Sequence, residues 1–421
     1  MKRYPQYKDS GALWLGQVPA HWPLVRYKYV FNERVPRKDS ALPAGAISYG
    51  KVVLKDDDAM HVATKASYQE VLKGDFLVNP INLNYDLKSL RTALSEIDVC
   101  VSPAYIVLRP SIEADSSYLK HQLNVFDVSH MKTLGAGVRQ TISFKDIGNC
   151  WTVMPPREEQ EAISFYLDEE VGRIDAAISS QERMIELLKE RRSVIITQAV
   201  TKGLDPKAKM KDSGVPWLGQ VPAHWAIVPA YVLAPATRRS ISVEALRKKR
   251  VAHFSIPNVQ DYGTAVIEDG DTIDSGKMVV EGLSVLVSRL NPRKRTVAIA
   301  DVFSDADVTV CSGEFVMFRP KSQCVSRLLS LFFVSNPVAA FIESLVASTT
   351  KSHGRADPHV IKRMQVAVPP PDELEQIVSS ISQQIAEIDS VISRQILMIN
   401  LLKERRSSII TQAVTGQIDV R

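Results

Sequence analysis

The chain is one half-protein written twice, and this limits its architecture more than any other feature. Lys8 to Trp22, which contains Trp14-Leu15-Gly16-Gln17-Val18-Pro19-Ala20-His21-Trp22, returns as Lys211 to Trp225 with only Ala12 and Leu13 changed, to Val215 and Pro216, at an offset of 203 residues. Leu187 to Thr201 returns as Leu401 to Thr415 with only Val194 changed, to Ser408, at an offset of 214. The second copy therefore holds 11 more residues between its blocks. A repeat this long means two structurally equivalent modules.

Between the blocks lie two variable regions, roughly 23–150 and 226–365, that share landmarks more than residues. Val99 to Pro110 parallels Thr309 to Pro320, and Leu72 to Val78 parallels Val280 to Val287; each reads as a strand, the first entered through a Ser-Gly/Pro turn and the second through a Gly turn. Helical stretches follow at about 117–126 and 325–346. Each variable region is predicted to be a mixed α/β domain.

After Pro155-Pro156 and again after Pro369-Pro370-Pro371 the chain runs without proline to about residue 200 and to Thr415. Glu158-Glu159 and Asp372-Glu373 place negative charge in the first turn, where the helix dipole favours it. Both segments predict helices of roughly 60 Å at 1.5 Å per residue. Alternating steps of four and three visit Leu167, Val171, Ile174, Ile178, Gln181, Ile185, Leu188, Arg192, Ile195 and Ala199. The second helix gives Ile381, Ile385, Ile388, Ile392, Gln395, Ile399, Leu402, Arg406, Ile409 and Ala413. That is a coiled-coil seam, and its polar members Gln181, Arg192, Gln395 and Arg406 are candidates for fixing register. Two equivalent helices in a chain that returns to its start are expected to pack antiparallel. The predicted fold is α/β (α+β): two pseudo-symmetric mixed α/β domains separated by two long antiparallel coiled-coil helices.

The boundaries read as a repeated block at 1–22, a first variable domain at 23–154, a central helix at 155–202, a linker and second block at 203–225, a second variable domain at 226–367 and a final helix at 368–421. The 421 residues carry a net charge of +5 and four separated cysteines without a C-x-x-C pair, which predicts neither a disulfide framework nor a bound metal. No apolar run is long enough to span a bilayer, and Met1-Lys2-Arg3-Tyr4-Pro5 lacks the apolar stretch of a secretory signal, so a cytoplasmic location without membrane contact is expected.

The order W-L-G-x-x-P-x-H-W, variable domain, Pro-Pro helix ending in L-L-K-E-R-R, then repetition, resembles the specificity subunits of type I restriction-modification systems over nearly the whole chain. The resemblance implies that each variable domain is a target recognition domain reading one half of a split, asymmetric site in double-stranded DNA. It implies that the helices act as a ruler and that the repeated blocks help dock two methyltransferase subunits, with two restriction subunits completing the complex. It also implies that this chain has no catalytic group and no cofactor of its own, S-adenosylmethionine, ATP and Mg belonging to the partners. The sequence agrees: Asn79-Pro80-Ile81-Asn82 lacks the second proline and the aromatic residue of an adenine-methyltransferase motif, and no phosphate-binding glycine loop is present. Trp14, His21, Trp22, Trp217, His224 and Trp225 are the candidate docking residues. The rival reading is a structural coiled-coil scaffold whose α/β domains bind proteins.

Residues 23–150 hold 16 Lys and Arg against 14 Asp and Glu, and residues 226–365 hold 18 against 13, so the second domain is the more basic. Phosphates are met by basic clusters, whereas base edges are read by Arg, Lys, Asn and Gln on shaped loops. This singles out Asn79, Asn82, Asn84, Arg91, Arg139 and Gln140 in the first domain. In the second it singles out Arg247, Lys248, Lys249, Arg250, Arg289, Asn291, Arg293, Lys294, Arg295, Lys351, His353 and Arg355.

Overall fold

A computed structural model describes residues 2–39, 41–48, 50–56, 60–81, 90–134, 141–346 and 354–421. Two compact units result, Met1–Gln181 with Leu397–Arg421, and Glu182–Ile396. Each unit holds one Trp block, one variable domain, part of the central helix (Arg157–Lys202) and part of the terminal helix (Pro371–Val414).

In unit 1 the strands are β1 (Tyr7–Asp9), β2 (Gln17–Pro19), β3 (Leu24–Arg26), β4 (Phe31–Glu33), β5 (Gly45–Ser48), β6 (Lys51–Leu54), β7 (Gln69–Val71), β8 (Phe76–Val78), β9 (Thr92–Leu94), β10 (Val99–Val101), β11 (Ile106–Pro110) and β12 (Trp151–Val153). Unit 2 has β13 (Met210–Asp212), β14 (Gln220–Pro222), β15 (Ala226–Pro229), β16 (Ala236–Thr237), β17 (Ser240–Ile241), β18 (Arg250–Phe254), β19 (Val266–Asp269), β20 (Lys277–Val279), β21 (Ser284–Ser288), β22 (Val297–Ala300), β23 (Val308–Cys311), β24 (Phe315–Phe318) and β25 (Gln365–Val368).

The pairing order is the same in the two units, with an isolated bridge at Lys38 standing where unit 2 has β17. Unit 1 has a four-stranded antiparallel sheet in the order β4-β11-β8-β9, and unit 2 has β16-β24-β21-β22. The second sheet of unit 2 runs β17-β20-β23-β18-β19, with β18 and β23 parallel. Unit 1 reproduces that order with shorter ladders: β7 pairs with β10, β5 with β6, and isolated bridges join Lys38 to Gln69 and, in parallel sense, Ala44 to Cys100. β3 pairs with β12 as β15 pairs with β25.

Alternation along the strands explains how each four-stranded sheet is buried on both faces. In unit 2, Val285, Val287, Val316 and Phe318 pack toward Leu329, Phe332, Ile361 and Met364. The intervening Leu286 and Met317 pack against Phe254, Met278 and Cys311 of the other sheet. Unit 1 repeats the scheme: Leu77 and Val107 join Val71, Val99 and Val101, while Phe76 turns the other way onto Phe31.

The helix read at 117–126 spans Ser116–Ser129, with the Asp115 carboxylate accepting from the Tyr118 N–H at its N-cap. The helical stretch read at 325–346 comprises two helices, Gln323–Val334 and Asn336–Ser344, bent by 59°. Pro337 causes the break: it lacks an N–H and suits only the first turn of a new helix. Among the described residues no single helix is long and apolar enough to cross a membrane.

The long helices follow their periodicity. Every residue of the seams is buried or partly buried, from Leu167 and Ile381 to Ala199 and Ala413. In unit 2 the Arg192 guanidinium meets Asp389 at 2.9 Å, and Ala199 and Val200 share a core with Leu374, Ile377 and Ile381. Advancing along one helix thus means retreating along the other, and the pair is antiparallel. In unit 1 Arg406 meets Asp175 at 3.3 Å. The repeat offset of 214 carries Asp175 to Asp389 and Arg192 to Arg406, so the two ion pairs are equivalent. Gln181 and Gln395 are each partly buried.

Candidate nucleic-acid interface

Geometry begins with the Trp blocks, which fix each domain to its helix. Identical sequence gives identical hairpins: Gly11 donates to the Asp9 carboxylate and Gly214 to that of Asp212, at 2.9 and 3.0 Å. Trp22 and Trp225 are fully enclosed, a correction to their expected place on a docking surface. Their indole N–H groups donate to Glu159 and Glu373 at 2.9 and 3.1 Å, and His21 and His224 reach the same carboxylates at 2.7 Å. These glutamates occupy the first turns of the long helices. His21 and His224 are thus bound within the fold while keeping an exposed edge. Trp14 and Trp217 are half-buried, their rings packed on Phe126 and Phe341 of the domain helices.

Glu159 gathers two further donors, the Tyr4 hydroxyl at 2.9 Å and Arg421 at 3.5 Å. Burial alone would raise its carboxyl, but Trp22, His21, Tyr4 and Arg421 outweigh that and hold it below the usual range. The chain ends meet at this site. Lys2 and Asp419 form an antiparallel bridge, and the Arg421 guanidinium lies 5.2 Å from the centre of the Tyr4 ring. Gly416, at φ +70°, closes the terminal helix against Pro19 and Trp22, where a Cβ would stand only 2.4 Å from the proline ring.

The loops singled out for DNA contact are distant in sequence, yet the fold joins them in each unit. In unit 2, Arg289, Asn291, Arg293, Lys294 and Arg295 all fall between β21 and β22. The Asn291 N–H donates to the Gly354 carbonyl, and the Ala356 N–H to that of Arg289, both at 2.8 Å, so Arg355 is drawn alongside. Arg289 and Arg355 share the Glu314 carboxylate at 2.9 and 3.1 Å. Desolvation would raise that carboxyl, but the two guanidiniums hold it low. Lys294 donates to the Gln260 amide oxygen at 3.1 Å, and the same amide's nitrogen donates to Thr296 at 2.9 Å. Arg293 and Arg295 are exposed on this framework.

In unit 1 the equivalent loop joins β8 to β9. The Asn79 N–H closes its base on the Arg91 carbonyl at 2.8 Å, and the Ile142 N–H donates to the Pro80 carbonyl at 3.2 Å. The segment after the domain helix is therefore joined to the same loop as in unit 2. Asn82, Asn84, Arg139, Gln140, Lys351 and His353 lie outside the described residues. Arg91 is corrected from base contact to loop support: it is buried, with its guanidinium on the Ile81 carbonyl at 2.6 Å and its backbone N–H on Asp127.

Arg247, Lys248, Lys249 and Arg250 are exposed at the entry to β18, on the other sheet. Their loop is set by the Gly270 N–H on the Lys249 carbonyl and the Arg250 N–H on Asp307, both at 2.8 Å. This basic group and the β21–β22 loop thus occupy different sheets. Glu159, Glu373, Glu314, Asp175 and Asp389 were not singled out as site residues. The two Asp were visible, since Ile174-Asp175 recurs as Ile388-Asp389 at the helix offset.

Asp127 gives a pH-dependent test of the unit 1 loop. Burial pushes its carboxyl up to about 6 from an ordinary 3.8, against the opposing pull of Arg91, Lys132 and Thr92. A raised folded-state value means that its stabilising contribution is complete below 3.8 and lost as pH climbs through about 6. Asp127→Asn keeps an acceptor for Arg91 but cannot titrate. The unfolding free energy of wild type relative to this variant should therefore fall by about 3 kcal/mol between pH 3.5 and 7. Urea titrations at both ends measure it, and a constant difference would refute the assignment.

No family model matches the chain, and no curated protein matches it in sequence. Solved structures do match in fold. A chain described under "Structural basis underlying complex assembly and conformational transition of the type I R-M system" is 14% identical, with a TM-score of 0.66 over 95% of this chain and 99% of that one. The HsdS subunit from Thermoanaerobacter tengcongensis is 15% identical over 95% of this chain and 98% of its own, with a TM-score of 0.47. The type I restriction-modification system S subunit from M. genitalium is 10% identical over 92% and 96%, with a TM-score of 0.38. The first superposition establishes a shared fold across nearly the full length of both chains.

Proposed function

We propose that this chain is the DNA-reading specificity subunit of a type I restriction-modification complex. Its two recognition domains would read the halves of a bipartite, asymmetric target in double-stranded DNA and direct methyltransferase and restriction subunits to it. The observation that carries the reading is that two loops far apart in sequence are hydrogen-bonded together in each unit, at equivalent ends of equivalent sheets. The scaffold is repeated there, but the loop residues are not. The loop from Asn79 to Arg91 has no counterpart in sequence to that from Arg289 to Thr296, which favours an asymmetric site over a palindrome. In this reading the chain supplies no catalytic group, and S-adenosylmethionine, ATP and Mg bind the partner subunits. The fold shared with the type I system chain supports the assignment to that class.

The test is to purify the chain with its methyltransferase partner and map methylated adenines on random-sequence DNA. A split motif with a fixed gap is expected. Exchanging residues 23–150 for the corresponding domain of another specificity subunit should change one half of the motif alone. Methylation without sequence restriction would favour the scaffold reading, and a change in both halves would contradict independent recognition.

A further inference from the structure

We infer that Arg295, presented with Arg293 on the β21–β22 turn, reads a guanine edge in the half-site of the second recognition domain. This rests on the reading proposed above and goes further by naming the residue that sets specificity. Ten of the thirteen described residues with positive φ are glycine; the exceptions are Lys248, Asn291 and Arg295. Asparagine tolerates the left-handed region, whereas arginine meets a steric penalty there. Arg295 adopts it fully, at φ 49° and ψ 44°, closing a single 3-10 turn over Pro292–Lys294. Glycine would serve that backbone better. The fold carries a strained residue with a long cationic side chain where the local structure asks for none, which points to a role for the side chain.

The neighbours separate base reading from simple phosphate attraction. Arg289 and Arg355 share the one carboxylate of Glu314, whereas among the described residues neither Arg293 nor Arg295 has an acidic partner. The turn is braced by three hydrogen bonds, Asn291 to Gly354, Lys294 to Gln260, and Gln260 to Thr296. Pro292 is buried beneath it. A phosphate contact needs only reach and charge, which a long side chain on any loop supplies. A bidentate contact to guanine N7 and O6 needs a fixed direction, and a braced turn supplies that.

The experiment compares wild type, Arg295→Gly and Arg295→Lys, each as a complex with the methyltransferase, by methylated-adenine mapping on random DNA and by thermal unfolding. Arg295→Gly should unfold at the same or a higher temperature. Its motif should relax at one position of a single half-site, with discrimination there falling about 10- to 100-fold. Lysine, a point charge without the fork, should not restore that position. An unchanged motif would overturn the inference. So would methylation weakened equally at all sites and recovered by Arg295→Lys, which marks a phosphate contact. A lower unfolding temperature for the glycine variant would overturn it as well, since the guanidinium would then be holding the turn. Absence of any motif in wild type would instead refute the proposed function.

Discussion

Trp22→Ala should destabilise unit 1 by about 3–5 kcal/mol, and Trp225→Ala should do the same to unit 2. Both indoles are completely enclosed, each against the glycine that ends a long helix. Removal leaves a cavity where strand hairpin, helix start and helix end converge, and it leaves a carboxylate short of a donor. The two sites differ in one respect. Glu159 keeps His21, Tyr4 and Arg421 after Trp22 is lost, whereas the described partners of Glu373 are Trp225 and His224 alone. Glu159→Ala should add a penalty of about 1–3 kcal/mol through the buried donors it strands. Hydrogen exchange on the full chain would locate the effect. Trp22→Ala should speed exchange across residues 2–181 and 397–421 and spare the rest. A variant with unaltered exchange that fails to bind the methyltransferase would restore Trp22 to the docking surface on which the sequence placed it.

That misplacement shows where sequence reasoning reaches its limit. A W-L-G-x-x-P-x-H-W block repeated almost perfectly reads equally well as a surface kept for a partner or as a core element kept for the fold. The deciding residue, Glu159, stands more than 130 positions downstream, and in the sequence it already had a sufficient explanation as first-turn charge. The long helices were legible because a seam needs only periodicity, and the structure buries the residues that the four-and-three walk visits. The matched sheets were legible only in part, where Val99 to Pro110 parallels Thr309 to Pro320 and Leu72 to Val78 parallels Val280 to Val287. Strands of two to five residues carry too little pattern for the rest, and β5 and β7 reveal their equivalence to β18 and β20 only through pairing order. Arg91 illustrates the same limit at one residue. Composition marks it as a reader, but the carbonyl of Ile81 and the carboxylate of Asp127 claim its donors inside the fold.

Inserting seven residues into both long helices, near Gln181 and near Gln395, should lengthen the gap between the two half-sites while leaving each half-site unchanged. Seven residues are one seam repeat, so the stripe ending at Ala199 and Ala413 stays in phase with the stripe that precedes it. The added rise is about 10 Å at 1.5 Å per residue, which corresponds to about 3 base pairs at 3.4 Å each. The ion pairs give the insertion an internal check. Arg192 with Asp389 and Arg406 with Asp175 each lie inside one unit, and one insertion in each helix leaves both pairs with their original neighbours. An insertion in one helix alone shifts one strand of the seam past the other, misplaces the charges and should give an unstable subunit with weak methylation. Adding two residues to both would turn each downstream stripe by about 200°, to the opposite side of its helix, and should be as harmful. Only the paired heptad keeps stability and moves the gap, so a stable paired insertion that methylates at the wild-type spacing would show that the helices do not measure the distance.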